Sequence, residues 1–318
     1  MPSWNIHTAH VERLLDEHGA EALGVRDPNA FLFGNLLPDV YVGYMVPDVS
    51  HKIRYRTTHF ADPAFIPTPH FSYFAGIYVD GRDASDVTLG AWAHLVADHI
   101  YNRETRRFID AIGVRPGNET RIRKQGDFDL FGRTLEISSV PEADSGLVDQ
   151  AAGFPQYAVA AADARAAARV ARGIVRANDE RHVAGTPTYS LLTPEFFSRT
   201  FDLVDEAIAA GLIAHARSGS TAPGMRRAIP GYRALDAQEA LIAVANAERR
   251  GAESDARLQA RGLEAPFADE VVPTPVLVPA PLGAVSAPSA VHAPEVAPRG
   301  AAQALSAPPR HDGAQKER

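Results

Sequence analysis

The chain of 318 residues contains no cysteine. This absence excludes disulfides, thiolate metal sites and a cysteine nucleophile. Any zinc site in this protein must therefore be built from histidine and carboxylate side chains.

Long apolar runs and a basic leader are also missing. The N-terminal segment MPSWNIHTAHVERLLDEHG has neither the basic start nor the apolar stretch of a signal peptide. No segment approaches the roughly 20 apolar residues that a membrane-spanning helix needs. We therefore predict a cytoplasmic protein without a membrane span.

Lysine is scarce and the charge balance is acidic. Lysine occurs only at positions 52, 124 and 316, and the formal net charge is −7. A nucleic-acid-binding domain usually carries a broad basic surface. The sequence gives no such signature, so a nucleic-acid partner is not expected.

Two regions differ in composition. Residues 1–263 have the apolar and charged content of a globular domain, whereas residues 264–318 are rich in proline and alanine. Ten of the 24 prolines lie between Pro266 and Pro309. Proline fixes φ and removes a backbone donor, so we predict a disordered tail over 264–318, which could dock a protein partner.

Helical periodicity dominates the first region, and the predicted fold class is all-α. Capping signals support some of the boundaries, such as Pro194 directly after Thr193. The predicted helices are His7–His18, Thr88–Ile112, Leu147–Ala177 with a break at Gly153–Pro155, a helix from Thr193 that ends near Gly211, and Leu235–Gly262.

Two long stretches, 38–87 and 116–140, show no clear periodicity. Within the first, the aromatic run Phe71–Val79 predicts a short strand. Loops of this length are uncommon in a helical domain unless they carry a function or are held in place, for example by a metal.

The motif GAWAHLVADHIYN is the first candidate for chemistry. It places His94 and Asp98 four residues apart, on one face of a helix, where an imidazole and a carboxylate can bind one ion. The apolar neighbours Trp92 and Leu95 indicate burial, and a buried carboxylate needs a partner charge. An ordinary polar pair on a helix is the alternative reading.

Three further segments supply ligand-type residues. The first helix carries His7 and His10 at i and i+3, and Asp39 ends the segment FLFGNLLPDV. His59 lies in RYRTTHFADP, where the nearby His70 could compete for the same role. Taken singly, each of these residues also fits a core, turn or solvated loop position.

Together these segments resemble the zinc-dependent phospholipase C family, whose wider relatives include zinc-dependent single-strand nucleases. The resemblance spans roughly residues 1–130 and implies a helical bundle with long loops. It also implies that one zinc is bound by Asp39, His59, His94 and Asp98, and that Asp98 bridges to a second metal, which His7 also binds. The matching segments are PSWNIH with His7, FLFGNLLPDV with Asp39, THF with His59, and GAWAHLVADHIYN with His94 and Asp98.

The chain departs from the family pattern in two ways. Trp4 follows Met-Pro-Ser, so its nitrogen is an amide and only its carbonyl could be a ligand. The further H-x3-E or H-x3-D motif expected downstream is missing, and Asp127 and Asp129 are the nearest acidic substitutes, unless they form an exposed acidic loop. One or two zinc ions are therefore expected.

The resulting prediction is a zinc-dependent hydrolase that acts on a small phosphate ester through metal-activated water. Asp39 is the candidate for both metal ligand and proton acceptor, and His99 and Asn102 could orient the ligands. The alternative is a helical scaffold or interaction protein, with or without metal, that has lost catalysis. An HD-type phosphohydrolase is disfavoured because the adjacent pair here is Asp98-His99, the reverse order.

Overall fold

A computed structural model describes residues 2–62 and 64–261, so the predicted tail at 264–318 lies outside the described residues. The described part is all-α and contains no strand. No helix in it is long and apolar enough to span a membrane. The α-helices are α1 Trp4–His18, α2 Ala20–Leu23, α3 Pro28–Leu36, α4 Tyr55–Thr58, α5 Phe71–Phe74, α6 Asp86–Ala111, α7 Asn118–Gly132, α8 Ser145–Ala152, α9 Ala161–Glu180, α10 Pro194–Ser218, α11 Ala222–Ala228 and α12 Ala237–Ala260.

The strand predicted at Phe71–Val79 is wrong. This segment forms α5 and then a π-helix at Ala75–Val79, and it packs between α6 and α12. Short apolar runs look alike whether they form a buried strand or a buried helix, and only the tertiary environment separates the two.

The irregular stretch predicted at 116–140 is also partly wrong, because α7 lies within it. Its sequence is polar, and Gly126 interrupts it. Phe128 and Phe131 bury one side of the helix against Phe197 of α10. Tertiary packing has overridden a weak local pattern here.

Local capping explains several of the boundaries that were predicted. The side chain of Thr193 accepts a hydrogen bond from the amide of Phe196 at the start of α10, which confirms the predicted beginning. The helix runs past Gly211 to Ser218, since its buried side continues through Leu212 and Ala214. The predicted break between α8 and α9 is confirmed.

A buried carboxylate holds part of the long loop after α3. Asp163, near the start of α9, accepts hydrogen bonds from the Tyr41 hydroxyl at 2.9 Å and from the Ser50 amide at 3.1 Å. The loop over residues 41–53 is therefore fixed to α9 by a side chain of the protein itself.

A close helix contact in the core joins α3 and α6 at two glycines. A Cβ atom added to Gly34 would lie 2.2 Å from the carbonyl oxygen of Val87, and one added to Gly90 would lie 2.2 Å from that of Phe31. The two backbones therefore touch without intervening side chains. This contact sets the distance between the end of α3 and the middle of α6.

We expect the substitution Gly90→Ala to lower the free energy of unfolding by about 2 kcal/mol or more, because the added methyl group meets backbone that cannot move aside cheaply. Urea unfolding at equilibrium measures this change. The matched control is Gly173→Ala in α9, where an added Cβ meets nothing within 4 Å. The control should be neutral or more stable by up to about 1 kcal/mol, since alanine favours helix. Equal stability of the two variants would contradict the tight α3–α6 contact.

Candidate metal centre

Five of the predicted ligand residues meet in the core although four separate segments carry them. His7 comes from α1, Asp39 ends the 3₁₀ turn Leu37–Asp39, and His59 follows α4. His94 lies one turn after Gly90 on α6, and Asp98 lies one turn after His94. All five residues are buried. We call these five residues the His/Asp cluster.

The donor atoms of Asp39, His59 and His94 lie close enough together to surround one ion, and those of His7, His94 and Asp98 form a second such group. The Nε2 atoms of His59 and His94 are 3.1 Å apart. His59 Nε2 lies 3.6 Å from a carboxylate oxygen of Asp39 and 3.6 Å from one of Asp98. Zinc bound to nitrogen at about 2.0–2.1 Å in a tetrahedron separates its ligand atoms by about 3.3 Å. The observed spacing therefore fits a cation, and buried His/Asp groups in this structure could hold a metal ion.

Hydrogen bonds to the outer ring nitrogens fix which nitrogen faces the cluster. His94 Nδ1 donates to the carbonyl oxygen of Asn35 at 2.8 Å. His59 Nδ1 lies 2.7 Å from the Thr58 hydroxyl, which itself donates to the carbonyl oxygen of Tyr55 and so accepts from the imidazole. In this arrangement each Nδ1 carries the proton and each Nε2 carries a lone pair. Two lone pairs that face each other at 3.1 Å repel unless a cation or a proton lies between them.

His7 leaves polar atoms without partners. Neither of its ring nitrogens has a hydrogen-bond partner within the described structure, and the same holds for Asp98 Oδ1. His7 Nε2 lies 3.5 Å from that oxygen, and the His7 ring stacks on His94 with centroids 4.0 Å apart. Unpaired buried polar atoms are costly, so this arrangement also suits a bound cation.

Two of the cluster histidines, His7 and His59, are neutral and ready to act as ligands. Burial lowers the pKa of His7 to about 3 and holds the pKa of His59 well below its ordinary value. Burial alone would raise the pKa of Asp98, but its contact with His7 and the charge of His94 lower it below the usual range. At neutral pH His7 and His59 are therefore neutral, and Asp98 is ionised.

Asp39 differs from the other ligands in exposure and in pKa. Its side chain is 11% exposed, whereas the side chains of His59 and Asp98 are at 0% and 1%. Burial raises the pKa of Asp39 to about 6. The indole Nε1 of Trp4 donates to its Oδ2 at 3.1 Å. Trp4 thus reaches the cluster through its indole, whereas the sequence pointed to its carbonyl, and solvent reaches the cluster beside Asp39.

Two of the weaker histidine candidates lie outside the cluster. His10 Nδ1 lies 2.7 Å from Asp205 and its Nε2 lies 3.1 Å from the Tyr101 hydroxyl, so this histidine joins α1 to α6 and α10. His99 points to another side of α6 and donates from Nδ1 to the carbonyl oxygen of Pro69 at 2.7 Å. Neither ring contributes to the cluster.

The acidic pair in α7 is also placed elsewhere, and the exposed acidic loop is wrong for Asp127. This residue is buried and accepts hydrogen bonds of 2.7–2.8 Å from three successive amides of the loop before α10. Asp129 is exposed and accepts from Gln125 at 3.2 Å. His70, the possible competitor of His59, instead pairs with Asp62 at 2.8 Å.

Sequence reasoning missed two polar side chains near the cluster. The hydroxyl of Tyr55 donates to Asp98 Oδ2 at 3.0 Å, and burial raises its pKa so that it stays protonated. Lys124 on α7 is buried; burial lowers its pKa, and the charge of Asp98 acts against this shift. The sequence held a usable signal for this burial, because lysine is rare in the chain and Lys124 lies four residues before the buried Phe128.

Comparison of the chain with protein-family models, with curated proteins and with solved structures gives no match in any of the three. The resemblance to the zinc-dependent phospholipase C family therefore stays a prediction.

Metal content tests the cluster directly. Purified protein loaded with zinc and then desalted should retain bound zinc, and His59→Ala should lose it, because one of the two facing Nε2 atoms is removed. The matched control is His182→Ala, which alters an exposed histidine after α9. Zinc per chain is measured by atomic emission. Equal zinc in the two variants would rule out the assignment.

A pH titration of the metal-free protein tests the buried neutral histidines. His7, His59 and His99 have lowered pKa values in the folded state, so below about pH 6.5 the unfolded chain binds protons that the folded chain refuses. The raised pKa of Asp39 has the opposite effect on stability between about pH 6 and 4, because there the folded chain binds the extra proton. This is one group, whereas three histidines act in the first direction. The free energy of unfolding should therefore fall as the pH drops from 7 to 5.

The variant His7→Gln is the control for this titration, since it removes one histidine with a lowered pKa. The slope of unfolding free energy against pH should decrease by about one proton. An unchanged slope would show that His7 is not buried in its neutral form.

Proposed function

We propose that this protein is a zinc-dependent hydrolase of phosphate esters. One observation carries the proposal: the Nε2 atoms of His59 and His94 face each other at 3.1 Å, between the carboxylates of Asp39 and Asp98. A set of two imidazoles and two carboxylates without thiolates suits zinc. The net charge of −7 makes an anionic substrate unfavourable unless cations neutralise its charge at the site.

The geometry favours one tightly held ion and one weaker position. Asp39, His59 and His94 form one group of three ligands, which leaves a coordination position for water. His94 has only Nε2 to offer, since Asn35 occupies its Nδ1. The second position therefore has His7 and Asp98 Oδ1, which are too few ligands for tight binding by themselves.

When bound, zinc would supply Lewis acidity that makes a water molecule a better nucleophile and polarises a phosphoryl oxygen. Asp39 is the residue that receives the proton of the attacking water. Asp39 has the most exposed side chain of the cluster, at 11%, so a proton that it receives can pass on to solvent. Trp4 fixes the orientation of this carboxylate, and Tyr55 fixes that of Asp98.

A helical scaffold that uses the metal only for stability is the second candidate. The observation in its favour is the depth of the cluster, since the side chains of His7, His59, His94 and Asp98 are each at most 1% exposed. A substrate could approach only beside Asp39.

Hydrolysis of bis-p-nitrophenyl phosphate separates the two candidates. The zinc-loaded enzyme should release p-nitrophenol, and a chelator should stop the reaction. Asp39→Asn should lower the rate by about 100-fold or more, which is the usual contribution of a positioned base. Asp129→Asn, an exposed carboxylate in α7, is the matched control and should leave the rate unchanged.

The number of bound ions is followed on the same samples. His7→Ala should keep the first ion and lose the second, whereas His59→Ala should lose the first. Stoichiometric zinc without turnover on phosphodiesters or monoesters would favour the scaffold, and absence of zinc would exclude both.

A further inference from the structure

A separate concavity of about 680 Å³ lies between α5, α6 and the segment that leads into α12. This volume falls within the range of small-molecule sites. No residue of the His/Asp cluster lines it. We call it the arginine pocket. Its lining includes Phe71, His99, Arg103, Arg107, Tyr232 and Arg233.

The charge of this pocket is opposite to that of the whole chain. Among its lining residues are three arginines and one acidic residue, Glu239, which pairs with Arg233 at 2.6 Å. Behind it, the buried carboxylate of Glu104 is shared by Arg103, Arg107 and Arg199, at 2.9, 3.0 and 3.3 Å. Three guanidinium groups for one carboxylate leave an excess of positive charge. An anionic ligand would balance it.

The arginines keep donors for such a ligand. Arg103 binds Glu104 through Nε, and Arg107 binds it through one terminal nitrogen. A guanidinium carries five N–H donors, so most donors of both side chains remain available. Their fork geometry matches a carboxylate or a phosphate. Arg103 and Arg107 lie four residues apart on α6, so both face the same space.

Another part of the lining is a stacked aromatic pair. The rings of Phe71 and Tyr232 stack with an interplanar angle of 8° and centroids 5.6 Å apart. Phe71 is buried, and Tyr232 is partly exposed. The His99 ring meets Phe71 edge-on at 5.0 Å. Since Nδ1 of His99 donates to Pro69, its Nε2 is an acceptor in the pocket wall.

We propose that the arginine pocket binds a small aromatic anion. Its carboxylate or phosphate head is bound by Arg103 and Arg107, and its flat ring lies against Tyr232. This site is independent of the proposed hydrolase function, because the two share no side chain.

Calorimetric titration of the full chain tests the proposal with phenylphosphonate, an aromatic anion that phosphoester hydrolysis cannot consume. We expect saturable binding that persists after chelator removes metal from the His/Asp cluster. Methylphosphonate lacks the ring and benzyl alcohol lacks the charge, and each should bind about tenfold more weakly or worse, the effect of about 1.4 kcal/mol. A parallel titration with benzoate shows whether the head group is preferably a carboxylate or a phosphate, and saturable binding of either supports the site.

Matched variants locate the binding. Arg107→Gln should weaken phenylphosphonate binding about tenfold, the effect expected from one charge-assisted hydrogen bond. The control is Arg176→Gln on α9, since Arg176 is also exposed and also pairs with a glutamate on its own helix. Tyr232→Leu should abolish the preference for phenylphosphonate over methylphosphonate.

Several results would overturn the proposal. These are the absence of saturable binding for both aromatic anions, equal affinity in Arg107→Gln and Arg176→Gln, and equal binding of benzyl alcohol. Complete loss of binding on metal removal, with circular dichroism showing an intact fold, would assign the anion to the His/Asp cluster instead.

Discussion

The contact between Gly34 and Gly90 is the constraint on which the candidate centre depends. Because the backbones of α3 and α6 touch there, the carbonyl of Asn35 comes within 2.8 Å of His94 Nδ1. The same crossing brings the 3₁₀ turn at the end of α3, and with it Asp39, beside the next turns of α6. A side chain larger than hydrogen at either glycine would separate the two helices and pull the ligand atoms apart.

Burial of so many polar groups needs local compensation. α6 buries His94, Asp98, Asn102 and Glu104, each at most 4% exposed. Glu104 is compensated by three arginines. Asn102 donates to the carbonyl of Pro67, while its Oδ1 has no partner within the described chain. Both ring nitrogens of His7 and Oδ1 of Asp98 are also unpaired there, and His7 Nε2 lies 3.5 Å from this oxygen. An imidazole nitrogen and a carboxylate oxygen that are unpaired at this distance are the physical reason to place a cation at the cluster.

Sequence reasoning predicted the parts of the site that depend on short-range geometry. The H-x3-D spacing of His94 and Asp98 follows from helical periodicity alone, and the all-α class follows from repeated helical patterns. The distinction between His7 and His10 could not be made in this way, since both lie on the same helix and both are buried. It depends on Asp205, 195 residues further along the chain, which binds His10. The role of Asp127 could not be predicted from the sequence for a similar reason, because its partners are backbone amides more than 60 residues away.

α6 presents different chemistry on neighbouring sides, and this follows from the 100° step between successive residues of a helix. Asp98 turns toward the histidines, whereas His99, the next residue, turns toward Phe71 and the arginine pocket. The carbonyl of Pro69 fixes His99 in that direction. Proximity in sequence to a ligand was therefore the wrong criterion for a supporting role. In a buried helix, the residues that share a site with Asp98 are those three or four positions away, and His94 meets that condition while His99 does not.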